Sequence, residues 1–254
     1  MSRSLTMLFA LVAYAIFFAT FLYLIAFVGN IAVVPRTVDV GPAAPVATAV
    51  AINVALIALF GLQHSIMARQ GFKAWWTRVI PVPAERSVYV LMASAALIIL
   101  MGFWRPIDGM VWSVTNPLGE TVLWALFALG WGIVLLSTFL LNHFELFGLQ
   151  QAWLHMRGRQ AKPHQLRQPM LYKWIAHPLY SGFFLAFWAT PHMSYGHLLL
   201  AAGMSVYMLI AIRYEEHDLV GHYGDEYVRY RQDVGMLTPR LRRQAGGRPP
   251  GTAA

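Results

Sequence analysis

The chain is 254 residues long, 58% hydrophobic and only 12% charged. A soluble domain of this length carries about twice that charged fraction, and without cysteine there is no disulfide, thiolate nucleophile or iron–sulfur cluster. The net charge of +8 invites a nucleic-acid reading, but the placement of the charges argues for a topology signal instead.

Four segments supply the about 20 apolar residues that a bilayer core requires. They are 5–28, 46–68, 87–104 and 121–141, and none contains Asp, Glu, Lys or Arg. The first is read as a retained helix. Its apolar run exceeds the about 7–15 residues of a signal-peptide core, and no small-residue cleavage site follows it cleanly. Residues 35–45 (PRTVDVGPAAP) form a Pro/Gly connector. Two shorter runs, 178–190 and 198–212, are separated by PHMSYGH, and each is marginal as a full crossing. They read as a helix–turn–helix hairpin. The stretch 244–254 (QAGGRPPGTAA) has the composition of a disordered tail. The expected architecture is all-α. It is a polytopic membrane bundle of four long transmembrane helices plus a C-terminal helical hairpin, with cytoplasmic loops and a tail helix closing a site. One domain is expected over 1–240, followed by a tail over 241–254.

The basic residues sort by loop. Arg69, Lys73, Arg78 and Arg86 lie between segments 2 and 3; Arg157, Arg159, Lys162, Arg167 and Lys173 lie between segment 4 and the hairpin; Arg36 and Arg105 stand alone in the other two loops. Under the positive-inside rule both basic loops, the tail and the N-terminus are cytoplasmic. The partner of the basic excess is then the membrane surface and its anionic lipid, not nucleic acid.

That topology gathers polar groups at one depth. Gln63 and His64 end segment 2; Asn142, His143 and Glu145 leave segment 4; His177 and Tyr180 start the hairpin; Arg213, Glu215 and Glu216 end it. Each group alone has an ordinary explanation: a histidine in the headgroup layer, an interfacial ion pair worth roughly 0–1 kcal/mol, an asparagine cap. Together they predict a site, because ionisable groups near a membrane core pair with each other or mark a functional path. Within IAHPLYSG (175–182), Pro178 suits the first position of a helix. His177 then sits near the N-cap, at the positive end of the helix dipole, and Tyr180 follows one turn later. Such a helix start suits a carboxylate or phosphate. Downstream, Glu216, Val220, Tyr223, Tyr227 and Tyr230 recur at helical spacing. They read either as an interfacial tail helix or as an aromatic lid over a ligand.

The order AHPLYSG, RYEEHDL, YGDEYVRY, TPR resembles the C-terminal signature of the isoprenylcysteine carboxyl methyltransferase superfamily. In that superfamily the signature surrounds S-adenosylmethionine. The resemblance implies a cofactor site at Tyr172, His177, Pro178, Tyr180, Gly182, Glu215, Glu216, Leu219, Gly224, Tyr227, Tyr230 and Pro239. The family's arginine before His-Pro is Ala176 here, which leaves Arg213 or Lys173 to supply the cation. Three further stretches, GLQHSIMARQGFKAWWTRVIP with ERSVYVL, NHFELFGLQQ and FWATPHMSYGHLLLA, resemble the methanethiol S-methyltransferases, a family of bacterial membrane enzymes. The first is also similar to NnrU-type membrane proteins.

This resemblance implies methyl transfer from S-adenosylmethionine to the sulfur of a small thiol, methanethiol to dimethyl sulfide, in the bacterial cytoplasmic membrane. No metal is implied. The soluble alternative is absent, since Gly130-x-Gly132 lies inside a membrane segment with no strand before it. His64 and His143 are the candidate general bases on depth and chemistry, with direct attack by ambient thiolate as the alternative. Gln63, Asn142 and Glu145 are the candidate substrate contacts. The competing readings are methylation of an isoprenylated cysteine carboxylate or an amino-phospholipid, and a non-catalytic NnrU-like protein.

Overall fold

The computed structural model describes residues 2–160 and 168–240. Lys162 and Arg167 of the second basic loop, and the tail expected over 241–254, lie outside the described residues.

Five helices are long and apolar enough to cross a membrane: α1 (Arg3–Val28), α2 (Val46–Ala68), α4 (Val82–Phe103), α5 (Pro117–Leu141) and α9 (Tyr195–Tyr223). Each starts where the sequence supplies a stop for extended chain. Ser2 accepts the Leu5 N–H at 3.3 Å to cap α1. Asn116 accepts the Leu118 and Gly119 N–H groups, each at 3.1 Å, to cap α5. Pro81 precedes α4, whose first turn also carries a proline. Ser194 caps α9 by accepting the His197 N–H at 2.9 Å.

The C-terminal pair differs from two equal arms. Its first helix, α8 (Pro178–Trp188), has 11 residues, whereas α9 has 29. At 1.5 Å per residue that is ~16 Å against ~43 Å, so the second arm is itself a full-length membrane helix. The connection between them is not a bare turn. Residues His192–Ser194 (β2) pair antiparallel with Met110–Ser113 (β1), which lies between α4 and α5. α8 and the extended stretch after it therefore carry the chain to the end of the bundle where β1 sits, and α9 brings it back.

Two glycines let α8 lie directly on α5. A Cβ at Gly182 would meet the Gly130 carbonyl oxygen at 2.7 Å, and one at Gly130 would meet the Ala186 nitrogen at 2.6 Å. Close backbone approach through small residues is how helices associate where lipid removes the hydrophobic drive. At the β1 end, fully buried Asn53 reads the chain after α4 in both directions. Its Nδ2 donates to the Arg105 carbonyl at 2.7 Å, and its Oδ1 accepts the Arg105 N–H at 2.9 Å.

Short elements close the other end. α3 (Gln70–Trp76) follows α2, and α6 (His143–Leu146) and α7 (Leu149–Met156) follow α5. α7 packs on α1 through Ala10, Leu149 and Ala152. After α9 the backbone turns at Gly224, with φ +57°, into α10 (Asp225–Asp233). The strap beyond α10 is stitched to the chain before α8. Ala176 N donates to the Gly235 carbonyl at 2.8 Å, His177 N to Met236 at 3.1 Å, and the Ser181 hydroxyl to Leu237 at 2.7 Å. The helical face from Glu216 to Tyr230, expected to be broken at Gly221 and Gly224, is thus two helices. Gly224 breaks it and Gly221 does not.

Candidate active site

One large cavity, of about 1680 Å³, opens at the end that carries α3, α6, α7 and α10. Walls come from α1, α2, α4, α5, α8 and α9, all of them among the elements that deliver the polar groups or flank them. α1, α4 and α8 run inward from the mouth while α2, α5 and α9 run toward it, so depth follows from position along each helix.

From α2, His64 lines the cavity and Gln63 does not. One residue apart on a helix is a large angular step, and Gln63 instead donates to Met67 Sδ at 3.1 Å. His64 stacks on Phe60 with ring centroids 5.3 Å apart. Its Nε2 is 2.8 Å from the Tyr89 hydroxyl, whose oxygen also lies 3.4 Å from the His64 carbonyl. Its Nδ1 is buried with no hydrogen-bond partner among the described residues.

Asn142, His143 and Glu145 all line the cavity. Asn142 takes a positive φ of 135° and holds the turn into α6, donating to Glu145 Oε2 at 2.8 Å and to Gln150 Oε1 at 2.6 Å. His143 is buried and has both ring nitrogens engaged. Nε2 is 2.7 Å from the Tyr14 hydroxyl and Nδ1 is 2.8 Å from the Thr138 hydroxyl. Thr138 gives its single proton to the Leu135 carbonyl at 2.7 Å. Nδ1–H is therefore the donor to Thr138, and Nε2 accepts from Tyr14. Burial lowers the His143 pKa from its ordinary value, so the ring is neutral.

Tyr172, His177, Tyr180, Glu215 and Tyr227 share the wall near the mouth. The two acids at the end of α9 have separate partners. Glu215 faces the cavity, within interacting distance of the Tyr180 hydroxyl. Glu216 is off the wall, 3.5 Å from His177 Nε2 and 2.9 Å from Arg231 Nη1. Tyr227 is 2% exposed, and its hydroxyl has no partner among the described residues. The Tyr230 hydroxyl donates to the Tyr172 carbonyl at 2.7 Å. Burial raises the pKa of Tyr172 and Tyr227, and pushes Tyr230 up to about 12, so these phenols stay protonated.

Gly182 is not on the wall, because it faces α5. Arg213 and Lys173 are exposed and off the wall as well. Among the described residues, the cations that line the cavity are Arg69, Lys73, Arg86 and Arg159. Arg86 donates to the Leu146 carbonyl at 2.7 Å and lies over the Tyr89 ring, 4.9 Å from its centroid. Arg69 pairs with Asp218 at 3.2 Å. The Lys73 pKa is lowered, chiefly by burial and then by Arg86. In the sequence Arg69, Lys73 and Arg86 register only as topology signals, and Tyr14, Tyr89 and Tyr207 only as polar rings within apolar runs. The lone signal available was ERSVY, an arginine and a tyrosine three residues apart and so on one helix face.

The chain is 50% identical to a methanethiol S-methyltransferase of Mycobacterium tuberculosis over 94% of its own length and 98% of the relative's. The chain belongs to the methanethiol S-methyltransferase family. It is also 49% identical to methanethiol S-methyltransferase 1 of Bradyrhizobium diazoefficiens, over 93% of this chain and 83% of that one. With the methanethiol S-methyltransferase of Crocosphaera subtropica it shares 45% identity over 94% and 93%. No family model matches the chain, and no solved structure matches it. Membership in this methyltransferase family makes the chain an enzyme and the cavity its candidate active site.

Proposed function

We propose that this chain transfers a methyl group from S-adenosylmethionine to the sulfur of a small thiol, methanethiol to dimethyl sulfide, inside this cavity. The observation that carries the reading is the shared wall. His64 with Tyr89 from α2 and α4, His177 with Tyr180 from α8, Glu215 from α9 and Tyr227 from α10 line one cavity. Relatives named for the reaction support the acceptor.

The residues fit a sulfonium nucleoside with a carboxylate. Tyr227 has an unpartnered buried hydroxyl, and the rings of Tyr172, Tyr180 and Tyr223 also stand on the wall. Aromatic faces hold a cation with about 0.5–2 kcal/mol. Glu215 supplies an acceptor for hydroxyls or an ammonium, and Lys73 with Arg86 supplies the positive charge for a carboxylate that Ala176 cannot. Glu216 acts at one remove, holding His177 and α10 in place. When bound, the donor supplies an electrophilic methyl group.

An alkyl thiol has a pKa above that of a cysteine thiol, roughly 8.5, so little thiolate exists at neutral pH and a proton acceptor beside the sulfur speeds the reaction. The His64–Tyr89 pair takes this part. A phenol has one proton; when Tyr89 gives it to the His64 carbonyl, its oxygen accepts Nε2–H and Nδ1 keeps its lone pair. A buried nitrogen without a partner costs about 1–3 kcal/mol, and accepting the thiol proton relieves that cost. His143 has no such vacancy and serves as a positioning residue for the turn at Asn142. The dry surroundings help further, because thiolate and sulfonium neutralise each other as they react.

The enzyme is placed in the bacterial cytoplasmic membrane with the cavity mouth and both termini on the cytoplasmic side. Membranes carrying it, given methanethiol and S-adenosylmethionine, are expected to release dimethyl sulfide. Calorimetry is expected to show S-adenosylhomocysteine binding that Lys73→Met weakens. Labelled methyl appearing in lipid rather than in the headspace would overturn the acceptor.

A further inference from the structure

The cavity is larger than its proposed reactants need. Pockets for drug-sized ligands hold about 300–1,000 Å³, whereas this one holds about 1680 Å³, for a nucleoside-sized donor and a one-carbon thiol. The excess has a direction. The charged groups lie at the mouth, and His64, Tyr89, Tyr180 and Tyr207 form a ring one level in. Beyond that ring the wall continues through Leu24, Phe60, Leu97, Phe183, Phe187 and Met204.

From Tyr89 to Leu97 is eight residues of α4, and from Tyr180 to Phe187 seven of α8, so the arm extends ~10–12 Å past the ring. Among the described residues its polar wall group is Ser94, whose hydroxyl is already given to the Val90 carbonyl at 2.8 Å. The arm therefore offers no free hydrogen-bond donor to a ligand. Met204, one turn of α9 past Tyr207, is an adaptable filler.

We infer that this arm is a chamber for the acceptor's alkyl chain, and that aliphatic thiols longer than methanethiol are better substrates than methanethiol itself. The inference rests on the methyl-transfer reading of the same site. A 1-alkanethiol enters with its sulfur at the His64–Tyr89 ring and its chain along the arm. The thiol proton goes to His64. The thiolate sulfur forms the new carbon–sulfur bond as the donor's methyl–sulfur bond breaks, and that electron pair stays on the donor's sulfur. The product is a methyl alkyl sulfide.

Each methylene buried contributes about 0.8 kcal/mol, or about a fourfold gain at 1.36 kcal/mol per tenfold. The value of kcat/KM is expected to rise about fourfold per carbon from methanethiol to 1-butanethiol. Ser94→Leu, which narrows the arm, should lower the butanethiol-to-methanethiol ratio, and Leu97→Ala should move the optimum to longer chains. A donor-free measurement runs beside these: the thermal midpoint of purified protein with dimethyl, methyl ethyl and methyl butyl sulfide should rise with chain length. A flat or falling series in both measurements, with methanethiol still methylated, overturns the chamber and leaves the methyl-transfer reading standing. Rising midpoints without methylation of any thiol keep the chamber and sink that reading instead.

Discussion

His64 and His143 each meet a tyrosine hydroxyl, at 2.8 and 2.7 Å, yet their second nitrogens differ. Thr138 completes His143, while His64 Nδ1 has no partner among the described residues. A general base contributes about 10²–10⁴-fold, so His64→Ala is expected to cut turnover at pH 7 by a hundredfold or more. That deficit should shrink as pH rises and solution supplies thiolate. Tyr89→Phe should reproduce part of the effect with the same pH trend. His143→Gln should lower activity equally at every pH, as a positioning residue does. A pH–rate profile for the three variants separates these outcomes, and a pH-independent loss in His64→Ala would remove it from the chemistry. The same scale separates Glu215 from Glu216. They are neighbours in sequence, but Glu215 lines the cavity while Glu216 lies off it, 2.9 Å from Arg231 and 3.5 Å from His177.

Among the elements, α8 decides where His177 and Tyr180 stand, and the contact of Gly182 with Gly130 decides where α8 stands. The two nearest obstacles to a larger residue at Gly182, the Gly130 carbonyl oxygen at 2.7 Å and the Val134 nitrogen at 2.8 Å, are backbone atoms, which have no rotamer to yield. Gly182→Ala is therefore expected to force α8 off α5, at about 1–3 kcal/mol by analogy with overpacked cores. The measurement is the thermal midpoint in detergent, where a drop of a few degrees should accompany weaker S-adenosylhomocysteine binding. An unchanged midpoint would mean that the helices do not lie this close. α10 is held by a different device. The bonds between residues 174–181 and residues 235–237 tie the strap after α10 to the chain that carries His177, and Tyr227 and Tyr230 line the cavity, which favours the lid over an interfacial tail helix for these two rings.

For the whole molecule, the described cations at the cavity end include Arg69, Lys73, Arg78, Arg86 and Arg159, against Arg36 and Arg105 at the β1 end. The proposed orientation rests on that asymmetry. A chain without cysteine allows a direct check. Single cysteines at Asp218, beside the mouth, and at Val33, exposed in the opposite loop, should be labelled by a membrane-impermeant maleimide from opposite sides. Labelling of Asp218→Cys alone from outside the cell would invert the topology, and labelling of both from outside would break it.

Apolar runs free of charge mark four of the five long helices in the sequence, closely at their C-terminal ends, whereas α4 and α5 begin earlier, in turns that carry Glu85 and Glu120. Polar side chains at their ends forecast that one leaflet gathers the chemistry, because the hydrocarbon core excludes such groups. Segment 198–212 is underestimated because the helix continues through Arg213, Glu215 and Glu216 beyond the apolar stretch, where hydropathy no longer reports on it. What the sequence alone leaves undecided is which face of each helix looks inward. A helix that is apolar all round carries no polar stripe to mark its buried side. The choice of His64 over Gln63 and of Glu215 over Glu216, and the packing role of Gly182, were therefore settled only when the helices met. Among the described residues, the cations of the wall come from the joint between α2 and α3, from α3, from α4 and from the chain after α7, none of them next to Ala176 in sequence. Only the tertiary structure closes that distance, since the exchange of one positive group for another depends on where the chains pass and not on how they are spelled.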